Sequence, residues 1–539
     1  MRRMFLFLAS VCFACFARAA EIAIIAHEPG YTTSLATHLQ RWLKEQAVPS
    51  ELATPAEMDA VLKDAKLAFL VGFHAPSAEE FSSIESYRRR GGRLVVFHSG
   101  SERLAKLMGV KLLGYAEAKR PGQWSRMDFN ADFLEGCPKS IRQSSGVLQR
   151  AEPARGGRSR TIAIWCDRSG KPTGDVAWIA SPAGYWMTHV LLADGDEDLK
   201  SQLLGAFTGS VAPRLWSVDG LRAKMAAESE AAKTFAMRQK RRPGEIHAVW
   251  DHAGTGLYPG DWPRTIRFLK SHGVTDLFVN VGGAGFAHYR SGVLPRSKIC
   301  ESEGDQLAKC IAAAKGSGIR VHAWLLCFNA TRSSPETLET FRRRGWRLKA
   351  RDGRLTEYLD PSCAAVRSHI LKAVDEIVRN YRPDGIHLDF VRWYEKSEKP
   401  SDAADVITKF VAEAKRHVPR PGVFSVAVLG KYPACVASVG QDWEGWTDAG
   451  IADYVVPMDY TGDSTKFESF LKQHASRPGS VRKTIIGIGV TANESRLTPV
   501  QVINQLRLMR KYGFAGAALF DLDTVLEKKI LPYLRLGMW

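Results

Sequence analysis

At residues 384–389 the chain reads Asp-Gly-Ile-His-Leu-Asp. A short apolar run of this kind, preceded by a helical stretch at 366–381, is typical of a strand in a buried parallel sheet. Side chains alternate along a strand, so His387 and Asp389 share one face. We predict one β/α unit here, with Asp389 at the carboxyl end of its strand.

The same unit recurs throughout the C-terminal part of the chain, where apolar runs alternate with helical stretches. The predicted strands lie at 246–250, 276–281, 319–326, 385–389, 423–428, 453–458, 484–489 and 516–520. Eight β/α units between residues 245 and 539 match the size of a (β/α)8 barrel. The predicted fold class is therefore α/β, with a C-terminal (β/α)8 TIM barrel.

The region before the barrel also alternates strands with helices. Apolar strands are predicted at 21–26, 67–72 and 94–98, with further strands near 161–164 and 176–179. Continuous apolar strands joined by helices indicate a parallel sheet covered on both faces. We predict an open flavodoxin-like α/β domain over 20–213, and a linker helix over 214–244.

The first nineteen residues have the features of a secretory signal peptide. Arg2 and Arg3 precede an apolar run at 4–16, and Ala17-Arg18-Ala19 offers small residues for cleavage. The run is too short to span a bilayer. We expect an exported protein, periplasmic or extracellular, with no membrane span once residues 1–19 are removed.

Composition excludes several classes of function. The 539 residues carry a formal charge of +18, but the basic residues are dispersed and form no aromatic-interleaved stripe, so we expect no nucleic-acid partner. An anionic envelope polymer and a merely solvated basic surface both remain open. No CxxC or HExxH pattern and no glycine-rich dinucleotide fingerprint occurs, so neither a metal nor a cofactor is expected. Disulfide pairing and oligomeric state stay open.

Polar and aromatic residues crowd the carboxyl ends of the predicted barrel strands, where such barrels place their active sites. Glycosidic cleavage needs two carboxyl groups, and aromatic rings bind the apolar faces of sugars. Asp389 is the predicted catalytic carboxylate, with Asp459 or Asp521 as its partner and Asp523 as a comparable alternative. The predicted substrate-binding residues are Asp251, His322, Trp324, Asn329, His387, Trp393 and Tyr460.

Several motifs in order across residues 245–523 resemble the glycoside hydrolase-like family 10 proteins. The shared segments are Val321-His322-Ala323-Trp324, Leu359-Asp360-Pro361, 384–389, Asp442-Trp443-Glu444-Gly445-Trp446 and 451–460. The resemblance implies a barrel that hydrolyses glycosidic bonds of an envelope or extracellular glycan, which for some members is peptidoglycan. A non-catalytic glycan-binding protein with a degenerate site is the alternative.

The N-terminal region faintly resembles the glutamine-amidotransferase-like fold. Its third strand leads into Phe97-His98-Ser99-Gly100-Ser101, where an enzyme of that fold places its nucleophile. No cysteine occurs in this segment. We therefore expect a catalytically silent binding or scaffolding domain.

Overall fold

The computed structural model describes residues 20–539 except 28–29, 121, 131–132, 168 and 195. The predicted signal peptide, 1–19, lies outside the described residues. The chain divides into two compact units, one extending to Met225 and the other running from Ala226 to Trp539. Helix Val218–Met237 lies within the predicted linker, 214–244.

The first unit is built on a mixed nine-stranded sheet with the order β2-β1-β3-β4-β11-β10-β9-β6-β7. Its strands are β1 (Ile22–Ala26), β2 (Glu51–Ala53), β3 (Leu67–Val71), β4 (Arg93–Phe97), β5 (Val110–Glu117), β6 (Trp124–Phe129), β7 (Ser140–Ser145), β8 (Val147–Pro153), β9 (Arg160–Cys166), β10 (Pro172–Ser181) and β11 (Gly184–Met187). Its helices are α1 (Tyr31–Glu45), α2 (Met58–Leu62), α3 (Ala78–Arg89), α4 (Glu102–Leu107) and α5 (Glu197–Gly209), with a 3-10 turn at Pro55–Glu57. Strands β5 and β8 pair separately as a two-stranded ribbon.

Half of this sheet is parallel, as predicted, and half is not. Strands β2, β1, β3, β4 and β11 pair in parallel, whereas β11, β10, β9, β6 and β7 pair antiparallel. Strands β1 and β3 are continuous apolar runs in which every residue is buried. Strand β7 instead alternates buried and exposed residues, which is the pattern of a half-solvated antiparallel strand and is weaker in sequence.

The second unit begins with the end of α6 (Val218–Met237) and contains the barrel. Its strands are β12 (Ile246–Asp251), β13 (Asp276–Gly283), β14 (Phe286–Ala287), β15 (Arg320–Leu326), β16 (Arg347–Lys349), β17 (Leu355–Leu359), β18 (Gly385–Asp389), β19 (Val423–Leu429), β20 (Tyr454–Met458), β21 (Ile485–Gly489) and β22 (Gly516–Phe520). Its other helices are α7 (Trp262–Ser271), α8 (Lys298–Glu303), α9 (Gln306–Ala314), α10 (Pro335–Arg343), α11 (Ala364–Tyr381), α12 (Ala403–Arg416), α13 (Ala434–Val439), α14 (Trp443–Asp448), α15 (Ser464–His474), α16 (Pro478–Val481), α17 (Pro499–Tyr512) and α18 (Leu531–Leu534), with a π-helical turn at Leu526–Ile530.

Eight parallel strands close into a barrel, which confirms the predicted fold class. The strands follow one another as β12, β13, β15, β18, β19, β20, β21 and β22, and β22 pairs back onto β12. All eight correspond to strands predicted from the sequence. Helix α17 ends at Gly513, whose φ of 78° is the left-handed cap that glycine adopts at little cost.

Side-chain alternation separates two cores in this unit. Residues such as Val249 and Leu388 face outward and pack under the helices. Trp250, Phe278 and Trp324 face inward and fill the barrel interior. Because the inward set continues past each strand end, it also determines which polar groups reach the mouth of the barrel. No helix in the described part of the chain is long and apolar enough to cross a membrane.

Candidate active site

The mouth of the barrel collects polar groups from several strands at their carboxyl ends. Asp389 ends β18, and Asp521 follows β22 directly. Two other members, His252 and Tyr460, follow β12 and β20. The last two, Asn280 and Trp324, lie in the carboxyl-terminal halves of β13 and β15. We call these six residues the mouth cluster.

Asp389 is almost fully buried, with 5% of its surface exposed. Burial raises the pKa of its carboxyl group, while Arg392, the Phe390 N–H and the Trp324 indole act to lower that pKa. The Arg392 guanidinium lies 3.9 Å from Asp389 Oδ1. The Trp324 N–H lies near the carboxylate without reaching hydrogen-bonding geometry. A carboxyl group placed in this way can hold a proton or release it, as acid–base catalysis requires.

The backbone next to Asp389 is strained. Phe390 has a φ of 51°, a left-handed conformation that costs a bulky residue about 1–3 kcal/mol. This turn brings the Phe390 N–H to 2.5 Å from Asp389 Oδ1. The strained turn therefore fixes the orientation of one carboxylate oxygen and leaves Oδ2 for a ligand.

Asp521 is the second carboxylate of the mouth cluster. Burial raises its pKa, while Thr491, His252 and Arg496 act to lower it. The Thr491 hydroxyl donates to Asp521 Oδ1 over 2.8 Å. Burial and the charge of Asp521 together raise the pKa of the neighbouring Asp523 to about 7. Asp523 also accepts the Leu526 N–H, so it stabilises the loop behind Asp521.

Asp389 and Asp521 lie on opposite sides of the barrel. Their strands, β18 and β22, are four positions apart in either direction around the eight-stranded ring. Both carboxylates act on the pKa of the same imidazole, that of His252. The two acids therefore face a shared space across the mouth.

His252 was missed in the sequence analysis, which selected the neighbouring Asp251. Its ring lies 5.9 Å from that of Trp324 and 5.7 Å from that of Phe520, measured between centroids. Desolvation lowers its pKa, and Asp521 and Asp389 act to raise it. The alternation rule contains the signal: Trp250 faces the barrel interior, so the residue two positions later faces the mouth.

Tyr460 reaches the mouth as predicted. Its ring stacks on Phe520 with centroids 5.6 Å apart, and it lies over Gly489, where a Cβ atom would come within 2.7 Å of the ring. Burial raises the pKa of its hydroxyl well above the usual value, and nearby carboxylates including Asp389 and Glu494 act in the same direction. Glu494, on the loop after β21, is a further carboxylate near the mouth that the sequence analysis did not select.

Two buried donors at the mouth lack partners among the described residues. Asn280 has no exposed surface, and its Nδ2 makes no hydrogen bond although its Oδ1 accepts the Gly282 N–H over 3.0 Å. The Trp324 Nε1 is likewise without a partner. A buried donor without an acceptor is costly, so these groups indicate where a polar ligand would bind.

Asp459 does not belong to this cluster. It has no exposed surface, and both of its oxygens lie within 3.2 Å of Nε2 of His474 on α15. In strand β20 Val455 packs under the helices and Val456 packs inside the barrel. Residue 459 continues the outward set and residue 460 the inward set, so this geometry gives Asp459 a structural role.

His387 and His322 lie inside the barrel rather than at its mouth. His387 Nε2 accepts the Trp250 indole N–H over 3.0 Å, and its Nδ1 donates to Ser425 Oγ over 2.8 Å. Burial lowers its pKa well below the usual value, so the ring is neutral. His322 pairs with Asp276 at the opposite end of the strands, over 2.8 Å. Neither ring reaches the place predicted for substrate binding.

Three other predicted binding residues have local structural contacts. Asp251 has no exposed surface and accepts the N–H groups of Gly254 and Gly256 in its own loop. Asn329 accepts from the backbone and hydroxyl of Thr331. Trp393 is buried in the outer core and donates to a backbone carbonyl. Asp and Asn commonly cap loops, and this tendency, which is equally visible in sequence, accounts for Asp251 and Asn329.

Within the described residues no group of three or more His, Cys, Asp or Glu side chains has a geometry that could hold a metal ion. The mouth cluster itself offers two carboxylates, an imidazole, an amide, an indole and a phenol hydroxyl.

Comparison with known proteins supports a glycoside hydrolase-like barrel. Residues 261–420 match the family described as Glycosyl hydrolase-like 10, so the predicted resemblance is confirmed over that part of the chain. No curated protein matches the sequence. The amidotransferase-like resemblance of the first unit stays a prediction.

Three solved structures illustrate the similarities. The PgaB (BpsB) glycoside hydrolase domain from Bordetella bronchiseptica is 12% identical, with 54% of this chain and 98% of that chain covered and a TM-score of 0.43. The spore cortex-lytic enzyme SleL from Bacillus megaterium QM B1551 is 15% identical, with 56% and 74% covered and a TM-score of 0.35. A putative thua-like protein from Bacteroides uniformis ATCC 8492 is 12% identical, with 37% and 96% covered and a TM-score of 0.29.

Proposed function

We propose that this protein is a glycoside hydrolase that cleaves a polysaccharide with Asp389 and Asp521 as its carboxyl pair. The observation that carries the proposal is the placement of these two acids on opposed strands, at the mouth of a barrel whose residues 261–420 match a glycosyl hydrolase-like family. One carboxyl group protonates the leaving oxygen, and the other acts on the anomeric carbon, directly or through water.

The remaining members of the mouth cluster support binding of a sugar. The Trp324 and Phe520 rings flank His252 and offer apolar surfaces to pyranose C–H groups. Asn280 Nδ2 and Trp324 Nε1 are buried donors that sugar hydroxyls would satisfy. The hydroxyl of Tyr460, kept protonated by its surroundings, can donate to a ring substituent.

We further propose that the reaction proceeds with inversion. A retaining pair stands close together, whereas an inverting pair leaves room for a water molecule between the base and the sugar. The strands that carry Asp389 and Asp521 lie directly opposite each other in the ring, which supports a separation wide enough for that water. Proton NMR of the first product would show the anomer opposite to that of the substrate linkage; retention would contradict this assignment.

The decisive experiment is reducing-end release from peptidoglycan and from acidic and neutral polysaccharides. Asp389→Asn and Asp521→Asn should each lower the rate by about two to four orders of magnitude. Asp219→Asn is the matched control, because the side chain of Asp219 is 94% exposed on α6. Full activity in either mouth variant would refute the carboxyl pair. Co-sedimentation with a glycan and no release would favour the alternative of a non-catalytic glycan-binding protein.

We also propose that the protein is exported and acts on a cell-envelope or extracellular glycan. The charged start, apolar run and small residues within 1–19 support this. Fractionation of cells expressing the full chain should recover a shortened protein from the periplasm or medium, with Ala20 or a neighbouring residue at its N-terminus. Recovery of uncleaved protein in the cytoplasm would contradict it.

A further inference from the structure

A second candidate site lies in the first unit, at the carboxyl ends of its parallel strands. His74 follows β3, His98 follows β4 and His189 follows β11 closely. The His98 ring lies 5.6 Å from that of His74 and 5.4 Å from that of His189, between centroids. In open α/β sheets this edge is where ligands bind.

The ribbon formed by β5 and β8 closes one side of this edge. Tyr115 on β5 places its ring 6.3 Å from that of His98, yet 58% of its surface is exposed. Gln149 on β8 has its Oε1 3.8 Å from where a Cβ atom on Gly100 would lie. An exposed aromatic face, an amide and three imidazoles therefore surround one crevice.

The backbone of His98 is unusual in the same way as that of Phe390. Its φ is 44°, a left-handed conformation that is uncommon for residues other than glycine and that concentrates at functional sites. The turn directs the ring toward His74, His189 and Tyr115 rather than into the core. His98 Nε2 is buried and has no hydrogen-bond partner among the described residues.

The neighbouring serine is not arranged as a nucleophile. Ser99 has no exposed surface, and its hydroxyl donates to the Phe73 carbonyl over 2.5 Å and accepts the Ser101 N–H. This hydroxyl is therefore committed to the turn. Ser99 therefore provides no nucleophile at this edge of the sheet.

The electrostatics of the crevice favour an uncharged ligand. Burial, with smaller contributions from His189 and His74, lowers the pKa of His98 to about 4. Burial also lowers the pKa of His189, while the Val190 carbonyl and Asp194 act to raise it. Neutral imidazoles each present one donor and one acceptor, which suits hydroxyl groups.

We propose that this crevice binds a neutral saccharide unit, with Tyr115 against an apolar sugar face and His98 and His189 on its hydroxyls. This second carbohydrate site is separate from the carboxyl pair of the barrel, and it would retain a glycan without cleaving it. All the contacts that form this site lie within the first unit, so the site does not depend on the hydrolysis proposed above.

Binding should be measured by isothermal titration calorimetry and saturation-transfer NMR on the full chain carrying Asp389→Asn. The probes are cellobiose, maltose and N,N′-diacetylchitobiose. At least one should bind, and Tyr115→Ala and His98→Gly should each weaken its affinity by about tenfold or more. Glycine accepts the left-handed backbone at position 98, so that variant removes the ring without disturbing the turn.

Tyr31→Ala is the matched control, since Tyr31 is also an exposed tyrosine of the first unit, at 67% exposure. It should bind as the parent does. Three results would overturn the proposal: none of the probes binds, Tyr115→Ala and His98→Gly bind normally, or affinity is lost in Trp324→Ala but kept in His98→Gly. Tight, His98-dependent binding of Zn²⁺ with no sugar binding would also overturn it.

Discussion

Replacing Asp459 with alanine tests whether its carboxylate has a structural or a catalytic role. The Asp459 oxygens lie 3.1 and 3.2 Å from His474 Nε2, and neither side chain has any exposed surface. Truncation would leave His474 buried without an acceptor, since its Nδ1 also has no partner among the described residues. Gly430 packs against Asp459 so closely that a Cβ atom would lie 1.9 Å from Oδ1. Because Gly430 has no side chain, it offers His474 no replacement for the lost carboxylate.

The expected loss of stability in Asp459→Ala is large. Removing one partner of a buried pair costs about 3–5 kcal/mol, and leaving a neutral donor unsatisfied costs about 1–3 kcal/mol. Because burial raises the pKa of Asp459, its ion pair with His474 is not fully favourable. We therefore expect Asp459→Ala to lower the free energy of unfolding by about 3 kcal/mol. For the second unit, which runs from Ala226 to Trp539, that corresponds to a fall in Tm of roughly 4–6 °C.

Differential scanning calorimetry of the full chain, with the barrel transition analysed separately, measures this fall. Reducing-end release at a temperature where the variant is folded should stay within about twofold of the parent. Asp459→Asn, which retains a hydrogen-bonding side chain, should be milder. A hundredfold loss of activity with an unchanged Tm would refute the structural role and return Asp459 to the carboxyl pair.

Burial raises the pKa of Asp251 to about 7, so the folded state takes up a proton and the free energy of unfolding falls as the pH rises from about 4 to about 7. Asp251→Asn should reduce the fall in the free energy of unfolding between these pH values, measured by urea titration, by at most about 4 kcal/mol. An unchanged pH dependence would contradict the raised pKa of Asp251. Tyr460→Phe should lower kcat/KM about tenfold with little change in Tm, and equal activity would show that its hydroxyl does not contact substrate. His387→Leu leaves the Trp250 indole N–H and Ser425 Oγ without their partner, so it should cost about 1–3 kcal/mol of stability. Its pH–rate profile should match the parent's; a shifted profile would imply a catalytic role for the ring.

The barrel was predictable because its strands are short, largely apolar runs separated by helical stretches, and all eight were located. Asp389, Asp521, Trp324 and Tyr460 lie near the carboxyl ends of their strands, and their roles stay predictions. In the antiparallel half of the first unit, β9 and β10 were located but β6 and β7 were not, since strands such as β7 alternate buried and exposed residues and resemble loops. Apolar content is a strong signal only where both faces of a strand are covered.

Within the site, the predicted residues that lie away from the mouth were chosen from strand ends without strict alternation. Asp459 and Asp251 each stand one residue away from an inward-facing group, Tyr460 and His252 respectively. One step along a strand reverses the face, so adjacency to the mouth did not mean access to it. His387 and His322 were on the correct face, but too deep in the barrel to meet a ligand, and depth depends on strand tilt and stagger.

Gly489 lies behind the Tyr460 ring, where even a methyl group would come within 2.7 Å of it. The Tyr460 ring can occupy this position because Gly489 has no side chain. Gly489 itself is not one of the mouth cluster residues. An alanine there would force the Tyr460 ring, or its neighbours Ser495 and Ala492, to shift. Under the hydrolysis proposed above, a substitution at Gly489 would therefore change the shape of the site without changing any of its polar groups.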